Sequence, residues 1–81
     1  MATTRQLETL FTDALALPEG TSFPDLAYRS VPQWDSIAHM GLVARLEAAF
    51  QVMIDTDDVI DMNSFTACKQ ILGRYGVTFE D

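Results

Sequence analysis

The stretch VPQWDSIAHMGLVARLEAAF, residues 31–50, carries the clearest structural signal in this chain. A proline-containing loop ends at Trp34, and an amphipathic pattern begins directly after the pair Asp35 and Ser36. Asp35 suits the N-cap position, because an aspartate side chain accepts hydrogen bonds from the open N–H groups of a first helical turn. Helical spacing then joins an apolar stripe made of Ile37, Met40, Val43, Leu46 and Phe50, which Leu42 widens. The stretch predicts a long helix with a hydroxyl group at its start.

A second helix is predicted upstream, over about residues 4–17. Its apolar positions recur at helical spacing and are Leu7, Leu10, Phe11, Ala14 and Leu17. Thr3 and Gln6 match the spacing of a capping box at its entrance. Between the two helices, residues 18–34 contain three prolines and one glycine, which predicts a long loop. The apolar side chains that would hold this loop to the core are Phe23, Leu26, Tyr28 and Val31.

Downstream, the pattern predicts one helical turn near residues 56–61 and a last helix that Asn63 or Ser64 caps. The apolar face of the last helix is Phe65, Cys68, Ile71, Leu72 and Tyr75. Gly76 follows, where a left-handed C-terminal residue is expected. The methionines Met40, Met53 and Met62, together with Val59 and Ile60, are expected in the core. The sequence therefore predicts an all-α fold without strands. It is a small four-helix bundle with a long first loop and a short third helix, in one domain over residues 1–81.

Composition and charge limit the function classes. Apolar residues make up 48% of the chain and charged residues 21%, as in a folded domain. Twelve acidic residues against five basic ones give a net charge of −7, which disfavours nucleic acid and anionic membranes and favours partners with basic surfaces. No apolar run approaches the roughly 20 residues that span a bilayer, and MATTRQLETL lacks the apolar centre of a signal peptide. We expect a cytoplasmic protein that does not insert into membranes.

Ser36 is the residue to which the pattern assigns chemistry. It falls in the first turn of the predicted helix, where open N–H groups and the positive end of the helix dipole favour an attached phosphate. The preceding loop leaves the hydroxyl accessible, while Ile37 is expected to turn into the bundle. An Asp-Ser pair at a helix start is by itself most often only a cap, so the pair alone does not indicate that Ser36 is modified.

The surrounding sequence resembles the acyl carrier proteins, the phosphopantetheine-attachment family, over nearly its whole length. The family's Asp-Ser-Leu signature is matched by Asp35-Ser36-Ile37, and its LExxF helix ending by LEAAF at residues 46–50. The resemblance implies that Ser36 receives 4′-phosphopantetheine from coenzyme A and that Asp35 contacts the magnesium-dependent phosphopantetheinyl transferase. The terminal thiol of the arm would then carry an acyl group between enzymes, and the carrier itself would catalyse nothing.

Partner contacts are expected along the same helix and after it. The residues expected to meet partner enzymes are Ile37, His39, Met40, Glu47, Asp57 and Asp58. Ala38 and Gly41 stand where fatty-acid carriers commonly have acidic residues, so the partners should differ from those of the housekeeping set. Trp34 lies directly before the signature, and in this feature the chain resembles carriers of specialised lipid or polyketide-type pathways. We expect Trp34 to seal the loop against the helix. A monomer is expected.

Three alternatives stay open from the sequence. An aminoacyl or peptidyl carrier would share the same fold, and an acidic helical interaction domain would leave Ser36 unmodified. A small hydrolase would use Ser36 with His39, although no Gly-x-Ser-x-Gly elbow is present and His39 is expected at the surface. No metal site is expected, because a calcium loop starting at Asp55 would need glycine at Ile60 and glutamate at Thr66.

Overall fold

A computed structural model describes residues 2–80, which form four α-helices that pack around a shared apolar core. In chain order the helices are α1, Thr4–Leu15; α2, Ser36–Phe50; α3, Thr56–Asp61; and α4, Phe65–Arg74. Within residues 2–80 there is no strand, only two isolated bridges that pair Ala2 with Phe79 and Ala27 with Ser64. The prediction of an all-α chain with a short third helix is confirmed.

Side-chain caps fix where three of the helices begin. Thr3 accepts a hydrogen bond from the backbone N–H of Gln6 at 3.1 Å, and α1 starts directly after it. Asp35 accepts one from Ala38 at 2.8 Å before α2, and Ser64 accepts one from Ala67 at 3.0 Å before α4. Each cap contributes about 1 kcal/mol by satisfying an open N–H group. The predicted starts of these helices are confirmed.

Left-handed residues end the first two helices. Ala16, at φ 51°, terminates α1 at Leu15, two residues before the predicted end at Leu17. Leu17 lies outside the helix but is still buried. Gln51, at φ 54°, ends α2 and donates its N–H to the carbonyl of Glu47. Because neither position carries glycine, no residue type marks these turns in advance. Gly76, at φ 91°, is left-handed as predicted.

The core contains residues from every helix and from the long loop. Its buried members are Leu7, Phe11, Leu15, Leu17, Leu26, Trp34, Leu42, Val43, Leu46, Ile54, Met62, Phe65, Cys68, Ile71 and Leu72, and Val59 of α3 packs against them. The ring of Phe11 makes edge contacts with Trp34 at 5.5 Å and Phe65 at 4.9 Å between ring centroids. Fully burying a large apolar side chain contributes about 1.5–3 kcal/mol, so Trp34 fixes the end of the loop as firmly as a helix residue.

The long loop is tied to the segment that joins α3 to α4. The backbone N–H of Tyr28 donates to the carbonyl of Asn63 at 2.8 Å, and that of Phe65 donates to Leu26 at 2.9 Å. Leu26 is buried, and Phe23, Tyr28 and Val31 pack against the core, as predicted. Within the predicted loop, Phe23–Asp25 form one 3₁₀ turn. Pro24 fits there because the first turn of a helix needs no N–H donor.

Candidate functional site

Ser36 is the first residue of α2, and its side chain is exposed. Asp35 caps the helix with its carboxylate on the N–H of Ala38, and its carbonyl accepts the N–H of His39 at 2.8 Å. These two bonds hold the first turn of α2 in place. The Ser36 hydroxyl therefore sits beside the positive end of a 15-residue helix, on backbone that the cap fixes.

A cleft of about 340 Å³ opens beside Ser36, between α2 and α3. Its lining residues are Tyr28, Ser36, His39, Met40, Val59, Ile60, Met62 and Asn63. Apolar and aromatic side chains dominate this lining, so the cleft suits a hydrocarbon or another apolar group more than an ion. The Ser36 hydroxyl is thus next to a space that could receive the apolar part of a group attached to it.

Four large apolar side chains are exposed, and two of them, Met40 and Ile60, line this cleft. Their positions correct the sequence predictions. Ile37, expected to turn inward, is 84% exposed, and Ile60 and Met40, expected in the core, are 68% and 62% exposed. Ala38 packs against the core in this turn of α2, so the inward position is already taken. Met53, also expected in the core, is 88% exposed, whereas Met62 is fully buried as predicted. Met40 and Ile60 line the cleft, and Ile37 directly follows Ser36 in the chain. These three exposed side chains are called the apolar rim.

His39 is half-buried, so its side chain is less exposed than the sequence predicts. Its Nδ1 accepts a hydrogen bond from the indole N–H of Trp34 at 2.9 Å, and its Nε2 is 2.8 Å from the carbonyl oxygen of Val59. The imidazole also stacks on the Trp34 ring with 5.9 Å between centroids. Both ring nitrogens are engaged away from Ser36, so this arrangement does not offer His39 as a base to the Ser36 hydroxyl.

Two of the acidic residues expected to meet partners make bonds within the chain. The carboxylate of Glu47 accepts the backbone N–H of Ile54 at 2.9 Å and so braces the turn after α2. Asp58 accepts the hydroxyl of Tyr75 at 2.5 Å and pairs with Arg74 at 3.1 Å, which ties α3 to α4. The hydrogen bond to Asp58 raises the pKa of Tyr75. Asp57 is exposed and remains the acid of this set that is best placed to meet a partner.

Cys68 is buried in α4, and its thiol lies 3.7 Å from the carbonyl oxygen of Met62. Burial raises the pKa of this thiol to about 12, because the apolar surroundings disfavour the thiolate. The folded protein therefore hides its own thiol from reagents. Among residues 2–80, no group of three or more His, Cys, Asp or Glu side chains is placed to hold a metal ion.

Five lining residues of the cleft are not among the site residues predicted from the sequence. Tyr28 comes from the loop, Val59 and Ile60 from α3, and Met62 and Asn63 from the segment after α3. The sequence pattern places Tyr28 on the core side of the loop and Val59 inside the acidic turn, and it does not show that they share one location. The backbone contact between Tyr28 and Asn63 brings the loop to this side of α3.

Comparison of the chain with protein-family models, with curated proteins and with solved structures finds no match in any of the three. In the part of the chain from residue 2 to residue 80, no helix has both the length and the apolar character required to cross a bilayer. The basis for a function is therefore the geometry around Ser36 together with the sequence pattern.

Proposed function

We propose that this chain is an acyl carrier in which Ser36 bears a covalently attached 4′-phosphopantetheine arm. The observation that carries the proposal is the position of Ser36, an exposed hydroxyl at the first residue of a long helix and at the edge of an apolar cleft. The resemblance of Asp35-Ser36-Ile37 and of the LEAAF ending to the acyl carrier family supports the same function.

The chemistry at Ser36 is formation of a phosphodiester. In the active site of a transferase, Ser36 Oγ would attack the phosphorus of the phosphopantetheine half of coenzyme A. The hydroxyl proton is lost, and the bond to the adenosine-containing half breaks. The start of α2 favours the resulting negative charge through its dipole and its first N–H groups. When attached, the arm supplies a terminal thiol that holds an acyl chain as a thioester.

Asp35 has two tasks in this proposal. It caps α2 through the N–H of Ala38, and as an exposed carboxylate it contacts the magnesium-dependent transferase. The cap presents Ser36 in one backbone conformation, which lowers the ordering cost of docking in the transferase. The two tasks separate in an Asp35→Asn variant, because asparagine caps helices about as well as aspartate but carries no charge.

The finer architecture proposed is the four-helix bundle of that family. Packing of α1 on α2 and of α3 on α4 supports it, as does the long first loop held against the start of α4. In this arrangement α2 begins where the long loop ends. Partner enzymes could approach Ser36 from that side.

The proposed partners are a phosphopantetheinyl transferase and acyl-loading and acyl-transferring enzymes of a specialised lipid or polyketide-type pathway. The apolar rim of Ile37, Met40 and Ile60 offers contact area beside Ser36, and the net charge of −7 favours enzymes with basic surfaces. Asp57 is an exposed acid on α3 for such a contact. We propose that the carrier acts as a cytoplasmic monomer and has no catalytic activity of its own. An aminoacyl or peptidyl cargo would use the same site.

A second candidate function is an interaction domain whose Ser36 stays unmodified. The same apolar rim favours it, because exposed apolar side chains beside charged ones are typical of protein-binding surfaces. The two functions differ in whether Ser36 accepts the arm.

The test is intact-mass measurement after incubation with coenzyme A, magnesium and a broad-specificity transferase. The parent protein should gain the mass of one phosphopantetheine. Ser36→Ala should gain none while remaining folded, and Ser22→Ala, which removes another exposed loop serine, should load like the parent. Loading of Ser36→Ala would overturn the proposal. Failure of the parent to load, with a transferase that modifies a control carrier, would favour the unmodified interaction domain.

A further inference from the structure

A polar bridge crosses the wall of the cleft beside Ser36. The indole N–H of Trp34 donates to Nδ1 of His39 at 2.9 Å, and Nε2 of His39 lies 2.8 Å from the carbonyl oxygen of Val59. The edge of the Tyr28 ring packs against the imidazole with 5.6 Å between centroids. The bridge therefore runs from the end of the loop through α2 to α3.

The partners of the imidazole fix its protonation. An indole nitrogen can only donate, so Nδ1 of His39 must be the acceptor, and the proton of a neutral ring must then be on Nε2. Nε2–H donates to Val59, whose carbonyl also accepts a longer 3.3 Å bond from the N–H of Met62. A ring protonated on both nitrogens would turn an N–H toward the N–H of Trp34, so the bridge needs neutral His39.

The bridge joins α3 to α2 at the cleft. α3 has six residues. Its Asp58 side chain pairs with Arg74 of α4 and accepts a hydrogen bond from Tyr75, the residue directly after α4. The bond from His39 to Val59 links α2 directly to α3. His39 and Met40 line one wall of the cleft, and Val59 and Ile60 line the other. The bond therefore joins the two walls of the cleft.

We propose that His39 is a positioning residue that holds α3 against α2 through the Trp34–His39–Val59 bridge and so sets the width of the cleft beside Ser36. The consequence for cargo rests on the proposed function: the width determines how well an acyl chain on the Ser36 arm is sheltered. An apolar side chain at position 39 would not replace the bridge by packing alone, because the N–H of the buried Trp34 would lose this acceptor.

The first test uses the unmodified protein and needs no cargo. Native-state amide hydrogen exchange at neutral pH compares the parent with His39→Leu, His39→Gln and Met40→Leu. In His39→Leu, the amides of Val59 and Met62 should exchange at least about tenfold faster, while those of Cys68 and Leu72 in α4 keep their protection. His39→Gln retains a donor and an acceptor and should stay close to the parent. Met40→Leu, which lines the same cleft without a bridge, should match the parent.

Two results would overturn the proposal. Unchanged exchange of α3 in His39→Leu would show that the bridge does not hold that helix. Equal loss of protection in α1, α3 and α4 would show that His39 stabilises the whole core and has no particular effect on the cleft. If His39→Leu does not fold, the same exchange comparison is made with His39→Ala, which also removes both ring nitrogens.

The cargo consequence is measured separately on loaded protein. Cleavage of an octanoyl thioester by hydroxylamine should be about fivefold faster in His39→Leu than in the parent, while an acetyl thioester should react equally in both. Equal rates for octanoyl would overturn the cargo consequence. A failure to load Ser36 would instead overturn the proposed function. The exchange measurements on unmodified protein would still test whether the bridge holds α3 against α2.

Discussion

Replacing Ile37 and Leu42 by alanine, each in turn, tests whether the start of α2 is open to partners. Both residues belong to the apolar surface of the same helix, and helical periodicity places both toward the core. The structure separates them, because Leu42 is fully buried and Ile37 is 84% exposed. Stability measurements on the two variants therefore distinguish the observed packing from the one that periodicity predicts.

The expected magnitudes follow from burial. Fully burying an isoleucine side chain contributes about 1.5–3 kcal/mol, and Ile37 has only about a sixth of its surface covered, which leaves roughly 0.2–0.5 kcal/mol to lose. The better helix propensity of alanine offsets a few tenths of this. Leu42→Ala removes a fully buried side chain and should cost about 2–5 kcal/mol. That is a large share of the about 4–12 kcal/mol expected for a chain of 81 residues.

Urea denaturation followed by circular dichroism measures both free energies of unfolding. We expect Ile37→Ala to lie within about 0.5 kcal/mol of the parent and Leu42→Ala to unfold at a clearly lower urea concentration. A loss of more than about 1.5 kcal/mol in Ile37→Ala would refute the exposed rim. In that case Ile37 would belong to the core and could not serve as a contact for partner enzymes.

Three further predictions concern single residues. At pH 8 the Cys68 thiol should react with Ellman's reagent on the order of a thousandfold more slowly in the folded protein than in urea, since its pKa is raised to about 12; reaction at the unfolded rate would contradict the burial. The pKa of Tyr75 is raised above its unfolded value, so its bond to Asp58 should stabilise the fold fully below about pH 10 and be lost as pH rises through the folded value. The stability difference between the parent and Tyr75→Phe should therefore shrink in alkali, and a constant difference would count against this tie. Gly41→Ala should raise stability by about 0.5–1 kcal/mol in thermal or urea unfolding, because Gly41 is exposed within α2 and a methyl group added to it would meet no neighbouring side chain within 4 Å; a loss of stability would mean that this face is occupied.

The starts of α1, α2 and α4 are predictable from the sequence because each depends on one local cap. Thr3, Asp35 and Ser64 all bond an N–H three residues further on, so the signal and its effect lie within one turn. The end of α1 is not predictable in the same way. Ala16 adopts a left-handed conformation without being glycine, so its residue type carries no signal for the turn.

Which side chains of a helix face the core is harder to predict than where the helix begins and ends. In α2 the apolar stripe drawn by helical spacing includes Ile37 and Met40, but both are exposed and Ala38 packs against the core instead. The position of His39 depends on Trp34, five residues before it, and on the carbonyl of Val59, twenty residues after it. A backbone carbonyl carries no side-chain identity, so nothing in the sequence marks it as a partner. The bridge is visible only in three dimensions.

Fragment mass spectrometry that locates the attached arm tests the carrier function. The protein is incubated with coenzyme A, magnesium and a broad-specificity transferase and then cleaved after Arg29 and Arg45. The peptide of residues 30–45 contains two serines, Ser30 and Ser36, which fragmentation distinguishes. The carrier function predicts one phosphopantetheine on Ser36 and none on Ser30. An unmodified peptide, beside a control carrier that loads fully, or an adduct on any other residue would contradict it.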